Sequence, residues 1–572
     1  MLMKANHYLA EFLARIGVKH VYQLSGGMIA PLLDAVGEHP ALRLIDIVHE
    51  QSGGFAADTE ARLTNVPGVA MGTSGPGALN LATAMATSFY DSVPMIYIGG
   101  QVQSYLQVNG KATRQSGLQE CPFGAVAAPI CKAVFQPGSG KDVPDMLGEA
   151  YKTAMSGRPG PVLIDFPFDC QIAETDAESV RDPDPIAPDT PNPETIAACA
   201  DMLRTAERPI LLAGGGVRAT GREAVRSLSR DMGLPMVTTI SALDAADPTA
   251  DTSLGLCGVY GTRRGNLALS EADAVLCIGS RLDHGVIGAD PAGFTRRRSV
   301  FRVDIDEGEA GARHIKAEVA HADAGAFAAA LHDSLSEAQF VLPDPWRQRL
   351  RALRDEVSDT AERRHGDSID PNRFLAALGQ ASSAAGSYCI DAGQHTWHSA
   401  QSLRLKPDQR YVSSTGLWAM GCGLPAAIGA ALITKRPAVV IAGDAAVQLN
   451  IQEAAIVARE RLPVKVVILD NSGHGMVRQF QDEFLDSRHH GTEPQPPDLN
   501  AVFAAYGFAE RTVANDQDVA DALDWLWATP EAPAVLRVMI SAKDHVSPSV
   551  PFGRQLRDMK PAAQEGQVVT QP

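Results

Sequence analysis

Long apolar runs are missing from this sequence. Those present, such as Ala438 to Ala442 and Val466 to Leu469, fall far short of the roughly 20 residues a membrane-spanning helix needs, and no span is expected. No Lys/Arg cluster stands out from the acidic background either. Lys and Arg total 50 against 67 Asp and Glu, a formal net charge of −17, so neither nucleic acid nor an anionic membrane is an expected partner. Nor is there a C-x-x-C pair. Eight cysteines are scattered from Cys121 to Cys422, which argues against a disulfide framework or zinc site and for buried, reduced thiols. The first twenty residues lack the basic-then-apolar order of an export signal. Leu9, Phe12, Leu13 and Ile16 fall on one stripe, which predicts an amphipathic helix and a cytoplasmic protein.

What is present is ordinary globular composition: 45% hydrophobic and 20% charged residues, with 51 Gly and 37 Pro. At roughly 100 to 200 residues per domain, 572 residues predict about three domains. Strand-length apolar runs alternate with amphipathic stretches of helix length, among them Val93 to Ile98, Pro161 to Ile164, Ile210 to Leu212 and Ala274 to Ile278. That alternation predicts an α/β class built on largely parallel sheets. Glu174 to Glu194 is rich in Pro and acids and reads as a first linker. Phe340 to Asp370, with a charged helix over Trp346 to Arg364, reads as a second, and the tail after Lys560 as loose. The expected domains are 1–172, 190–340 and 368–550.

The most informative feature lies in the last of these. A strand over Pro437 to Ile441 runs into Gly443-Asp444-Ala445-Ala446, then a helix, then a strand over Val464 to Leu469 that ends at Asp470-Asn471. Parallel strands joined by one crossover bring their C-terminal ends together, so Asp444 and Asn471 can face one point. A hard dication takes oxygen ligands of this kind, and Mg²⁺ keeps few from protein and others from phosphate. Small residues at 443, 445 and 446 let backbone N–H groups approach a diphosphate.

With Gly473-His474-Gly475-Met476-Val477 following, this stretch resembles the magnesium and diphosphate motif of thiamine diphosphate enzymes. The first domain adds, in order, Gln23-Leu24-Ser25-Gly26-Gly27, Val48-His49-Glu50-Gln51, the run Thr73-Ser74-Gly75-Pro76-Gly77-Ala78-Leu79-Asn80, Gly100-Gln101-Val102, and Arg114 to Glu120. Together they resemble the acetolactate synthase (acetohydroxyacid synthase large subunit) branch over nearly the whole chain. One departure is Ala445, where that family usually has Gly.

The resemblance implies three doubly wound domains: pyrimidine-binding, central nucleotide-fold and diphosphate-binding. It implies thiamine diphosphate and Mg²⁺ as cofactors, with Asp444, Asn471 and Gly473 on the metal. Glu50 would hydrogen-bond N1′ of the aminopyrimidine, where a carboxyl sharing a proton favours the imino form that deprotonates C2. Gln119 and Gly27 would orient the donor or an oxyanion. Thr73, Pro76, Asn80, Gly393, Gln394, His395, Gly443, Ala445, Ala446, Gly475 and Met476 would complete the cofactor site. Within Gly416-Leu417-Trp418-Ala419-Met420-Gly421, Met420 would wedge beneath the thiazolium and the Trp418 carbonyl would accept from N4′. In the family the cofactor lies between subunits, which implies at least a homodimer. The central Ala213-Gly214-Gly215-Gly216 and Ile278-Gly279-Ser280-Arg281-Leu282-Asp283 resemble the family's flavin domain, but relatives keep that fold without flavin, so FAD occupancy stays open.

Three positions depart around the family's acceptor pocket: Gly285 stands where an arginine binds the second keto acid, Leu118 where Phe is usual, and Phe480 where Trp is usual. Arg263, Arg264 and His284 are candidates for a substitute charge. His474 reads equally as a proton relay or a loop histidine, and His489-His490 as a solvated pair in the family's capping loop. The expected function is an acetolactate synthase-like carboligase acting on a small 2-keto acid, pyruvate first, with transfer of the enamine to a second carbonyl compound. The alternatives are a 2-keto acid decarboxylase or diketone C–C lyase of the same superfamily, and after those a non-catalytic cofactor-binding homologue.

Overall fold

The computed structural model describes residues 2–108, 112–176, 190–296, 298–311, 315–357 and 368–561. Three six-stranded sheets follow one another along the chain, and the registers within them are parallel. The first runs across Arg43–Asp46, His20–Gln23, Gly68–Gly72, Met95–Gln101, Pro161–Pro167 and Ala133–Phe135. The second runs across Ser253–Leu256, Met236–Thr238, Pro209–Ala213, Ala274–Ile278, Ser299–Asp304 and Glu318–His321. The third runs across Arg410–Ser413, Ser387–Ile390, Ala438–Gly443, Val464–Asp470, Ala534–Met539 and Ala509–Val513.

In each six-stranded sheet the winding reverses beside the strand that comes first in sequence, and loops diverge at that point to leave a crevice beyond the strands' C-terminal ends. In the first sheet the reversal falls between His20–Gln23 and Gly68–Gly72, which lead to Gly26-Gly27 and to Thr73. In the second it falls between Pro209–Ala213 and Ala274–Ile278, which lead to Gly214-Gly215-Gly216 and Gly279-Ser280-Arg281. In the third it falls between Ser387–Ile390 and Ala438–Gly443, which lead to Asp391 and Asp444.

The first and third domains share a core. Helix Glu50–Thr64 crosses the almost wholly buried helix Gly423–Thr434, and a Cβ at Gly429 would stand 2.2 Å from the Ala56 carbonyl oxygen. Only glycine permits that approach.

Several expectations are corrected. The first helix is Ala5–Arg15, not the whole of the first twenty residues, because Leu2–Lys4 forms a strand antiparallel to Glu174–Asp176. Leu9, Phe12 and Leu13 are buried as the stripe requires. The first linker therefore begins as a strand and ends in helix Pro193–Thr205; 177–189 lie outside the described residues. The second linker reading also fails over its first half. Helix Asp344–Glu356 packs Trp346, Leu350 and Leu353 into the central core, and Trp346 Nε1 donates to Pro209 O at 3.0 Å. Val550, Leu556 and Met559 return to that same core, while the tail from 562 lies outside the described residues. All eight cysteines are free, seven of them buried. Among the described residues no helix is long and apolar enough to cross a membrane.

Candidate active site

In the first domain the strand-to-helix turns bring the expected residues together. Glu50, 4% exposed, opens helix Glu50–Thr64, and its Oε2 accepts from Asn80 Nδ2 at 2.9 Å. A Cβ on Gly77 would stand 3.1 Å from Glu50 Oε1, so the run from Thr73 to Asn80 lies against that carboxylate. Thr73 Oγ1 accepts from the Met28 backbone N–H at 3.2 Å, and Gly26 packs on its side chain, which brings the loop of Gly27 alongside. Gly75, at φ +69°, leaves room for the Gln119 carbonyl, itself in a left-handed residue at φ +62°. Pro76, Gln119 and Gly27 are exposed.

The third domain assembles the other half. Asp444 is fully buried, and neither of its carboxylate oxygens meets a hydrogen-bond donor in good geometry. Burial and then the adjacent Asp470 push its pKa up to about 7, against the pull of the Asp444 and Asn471 backbone N–H groups. Strand register pairs Gly443 with Leu469, so Asp444 and Asn471 leave neighbouring strand ends. Asn471 Nδ2 donates to Gln394 Oε1 at 3.1 Å, its Oδ1 accepts from Gly473 N at 3.1 Å, and Gln394 Nε2 donates to Gln479 Oε1 at 3.0 Å. Gly475 leaves no room for a side chain beside Gln394 and Asn471. His395 lies against Gly443; burial lowers its pKa to about 4, and its Nε2 has no partner among the described residues.

The loop with Trp418 and Met420 is anchored from below. Asp391 accepts from Gly421 N at 2.7 Å and Gly423 N at 3.1 Å, and Asn450 Nδ2 donates to Gly421 O at 2.8 Å. Trp418, at φ +59°, stacks on Trp397 with centroids 5.0 Å apart. After Asp444, Ala445 and Ala446 the chain forms a 3₁₀ helix over Val447–Glu453, kinked at Asn450, before the α-helix Ala454–Glu460. The N–H groups near Asp444 thus belong to a turn, not to the first turn of an α-helix as the sequence predicts. The kink has a cause: Asn450 also accepts from Ser52 Oγ at 3.0 Å.

The two halves meet in hydrogen bonds that involve neither the Glu50 carboxylate nor the Asp444 carboxylate. They touch through Asn450 and through Glu453, whose oxygens accept from the backbone N–H groups of Val48 and His49. Sequence reasoning missed Asp391, Asn450 and Glu453. Asp391 carried a signal, an acid at the end of an apolar strand; Glu453 carried none beyond its place nine residues after Asp444.

A buried carboxylate with no donor in good geometry, a neutral imidazole with one nitrogen unpartnered among the described residues, and glycine-only approaches are what a metal–diphosphate group would satisfy. The comparisons agree. Three family models match in order: thiamine pyrophosphate enzyme N-terminal TPP binding domain over residues 3–125, central domain over 196–331, and C-terminal TPP binding domain over 391–538. The acetolactate synthase large subunit of Parasynechococcus marenigrum is 34% identical over 96% of this chain and 90% of its own length. The large subunits of Escherichia coli isozymes 2 and 1 are 32% and 33% identical, over 97% and 96% of this chain and 99% and 96% of theirs. The chain belongs to the acetolactate synthase family of thiamine pyrophosphate enzymes.

The family's acceptor-side positions differ in their surroundings. Gly285 lines a cavity of about 500 Å³ at the central crevice, with Arg281, Arg158, Gly215 and Trp397. None of the three proposed substitutes lines it: Arg263 donates to Pro561 O, Arg264 to Leu254 O at 3.3 Å, and His284 Nδ1 lies 3.3 Å from Gly288 O. Leu118 and Phe480 are 81% and 55% exposed. His474 donates its backbone N–H to Thr492 O. The histidine pair is not simply solvated: His489 Nε2 lies 2.7 Å from Asp482 Oδ1, with His545 Nε2 2.9 Å from the other oxygen.

Proposed function

We propose that the protein is a thiamine diphosphate- and Mg²⁺-dependent carboligase. It decarboxylates a 2-keto acid, pyruvate first, and joins the remaining acyl unit to a second carbonyl compound, as the relatives' name implies. The observation that carries the reading is the buried, unpartnered Asp444 carboxylate beside Asn471. When bound, thiamine diphosphate supplies a carbon nucleophile that also takes up the electrons released by decarboxylation. Asp444, Asn471 and Gly473 hold the metal, and Gln394, His395 and Gly475 meet the diphosphate. Glu50, buried and bonded by Asn80 through Oε2, holds a proton at the cofactor's N1′. Met420 and Trp418 set its bend, and Gln119 and Gly27 orient the donor.

Glu50 and Asp444 then serve different sites of a homodimer, as the resemblance to the family implies. The exposed Tyr105, Leu118, Leu79 and Phe480 supply apolar surface for such an interface. The cavity of about 500 Å³ at the central winding reversal supports FAD as an occupant, and a flavin absorption band in purified protein tests it.

¹³C-pyruvate with Mg²⁺ and thiamine diphosphate, followed by NMR, tests the reaction. Labelled acetolactate is expected. Acetaldehyde alone would favour the decarboxylase reading, which Gly285 in the arginine's place motivates, and inertness toward pyruvate would move the search to other keto acids and diketones. Glu50→Gln is expected to lose turnover while retaining cofactor; unchanged turnover would remove Glu50 from the mechanism.

A further inference from the structure

A second cavity, of about 80 Å³, lies where all three domains meet, and none of the proposed thiamine or metal ligands lines it. Its charged walls are Arg62 from the first domain, Arg218, Arg222 and Asp244 from the second, Arg410 from the third, and Asp91 from the first. Four guanidinium groups thus face two carboxylates.

The balance differs between its ends. Arg62 is answered in full, by Asp58 at 2.5 Å and Asp91 at 2.7 Å, and Arg218 has Asp323 at 3.6 Å. At the other end Asp244 alone serves Arg410, at 2.7 Å, and Arg222, at 3.5 Å. Arg226 stands behind them, donates to the carbonyl oxygens of Asp244 and Pro407, and has Asp247 within electrostatic reach. Burial and the neighbouring Arg410 and Arg226 outweigh Asp244 and lower the Arg222 pKa to about 10, as a cation short of counter-charge requires.

Two hydrogen-bonding groups in the same walls have no protein partner among the described residues. Arg222 Nε is a buried, unused donor, and Ser413 Oγ is buried and unpaired on a residue only 6% exposed. Helix Arg222–Asp231 also begins at this wall, capped by Gly221 without any side-chain hydrogen bond, so its first N–H groups add positive potential. A buried cation that is under-compensated, with unused donors beside it, costs free energy unless an anion meets it. The volume is several times what one water needs.

We propose that this cavity binds a phosphate-type oxyanion between Arg222, Arg410 and Ser413. The anion is either inorganic phosphate or, where the larger cavity holds no flavin, the phosphate end of a nucleotide whose remainder lies in that cavity. The two cavities share Arg62, Asp91, Gly215, Arg218 and Ser241 as walls. Because the site draws on all three domains, its occupancy fixes their arrangement. The inference does not depend on the role given to Glu50 or on the donor substrate.

The test uses protein loaded with thiamine diphosphate and Mg²⁺, titrated separately with inorganic phosphate and with ADP and followed by ³¹P NMR. Saturable binding is expected, at least tenfold weaker in Arg222→Gln and about threefold weaker in Ser413→Ala, a change too small to threaten folding. Arg222→Lys, which keeps the charge, is expected to retain part of the affinity. Phosphate binding as tightly as ADP identifies a free anion; ADP binding tenfold tighter, with the same loss in Arg222→Gln, identifies a nucleotide's phosphate end. Absence of saturable binding by both probes, or binding unchanged in Arg222→Gln, overturns the proposal.

Discussion

Glu453, in the third domain, accepts the backbone N–H of His49 at 3.1 Å, one residue before Glu50 begins its helix. A second bond, from Val48 at 3.2 Å, makes the grip bidentate. One buried carboxylate from far along the chain thus fixes the turn that presents the proposed catalytic carboxylate.

That grip carries a pH dependence. Burial pushes the Glu453 pKa from 4.5 up to about 7, against the N–H groups of Val48 and His49, the Ser52 hydroxyl and Arg459. A raised carboxylate holds its proton more firmly when folded, so its contribution to stability is complete below about 4.5 and is lost as pH rises through about 7. Glu453→Gln cannot ionise and keeps one acceptor oxygen. Its melting temperature is expected to fall less than the wild type's across that window, and its kcat to drop about tenfold with little change in KM, because a displaced turn misplaces Glu50. Parallel melting curves would reject the ionisation argument.

Asp444→Asn removes a buried carboxylate that has no donor in good geometry. Thiamine diphosphate and Mg²⁺ are expected to bind at least about 100-fold more weakly, while the cofactor-free protein melts no lower, since a buried lone charge is costly. Calorimetric titration beside a thermal melt reads both. Unaltered affinity would take Asp444 off the metal.

His489 and His545 both close on Asp482, whose pKa is held down at about 2 chiefly by the hydrogen bond from His489. The pair ties the exposed stretch around Arg488 to the segment before Val546. In Asp482→Asn, trypsin is expected to cut after Arg488 several-fold faster with no change in melting temperature. An equal cutting rate would show that the histidines do not restrain that stretch.

Lys435 follows helix Gly423–Thr434 at φ +56° and is exposed. Left-handed backbone strains a lysine and not a glycine, so Lys435→Gly is expected to stabilise by about 0.5 to 1 kcal/mol. A denaturation midpoint that moves downward would contradict this.

Sequence made the α/β class and the local chemistry legible, because a glycine after an apolar strand or an acid at its end is a short-range pattern. Asp444 and Asn471 could be paired on paper because one crossover separates their strands. Glu453 could not, since its partners Val48 and His49 lie about 400 positions away and only the crossing of two helices brings them together. Trp346 misled for another reason: a charged helix looks like a spacer when its single apolar face is counted as an average, yet that face fills the central core. Arg222, which with Arg218, Arg226 and Arg230 repeats every fourth position, could not be joined on paper to Arg410, which lies in another domain.

The strand Leu2–Lys4 zips against Glu174–Asp176, with Leu2 opposite Asp176 and Lys4 opposite Glu174. The first domain therefore leaves the molecule where it enters, like a purse drawn shut at one string. A gene rearranged to join those two ends and open elsewhere would keep all six strands of its sheet in register. By the same logic both of its connections to the rest of the chain could be moved to a single point without pulling its ends apart, the core it shares with the third domain staying in place.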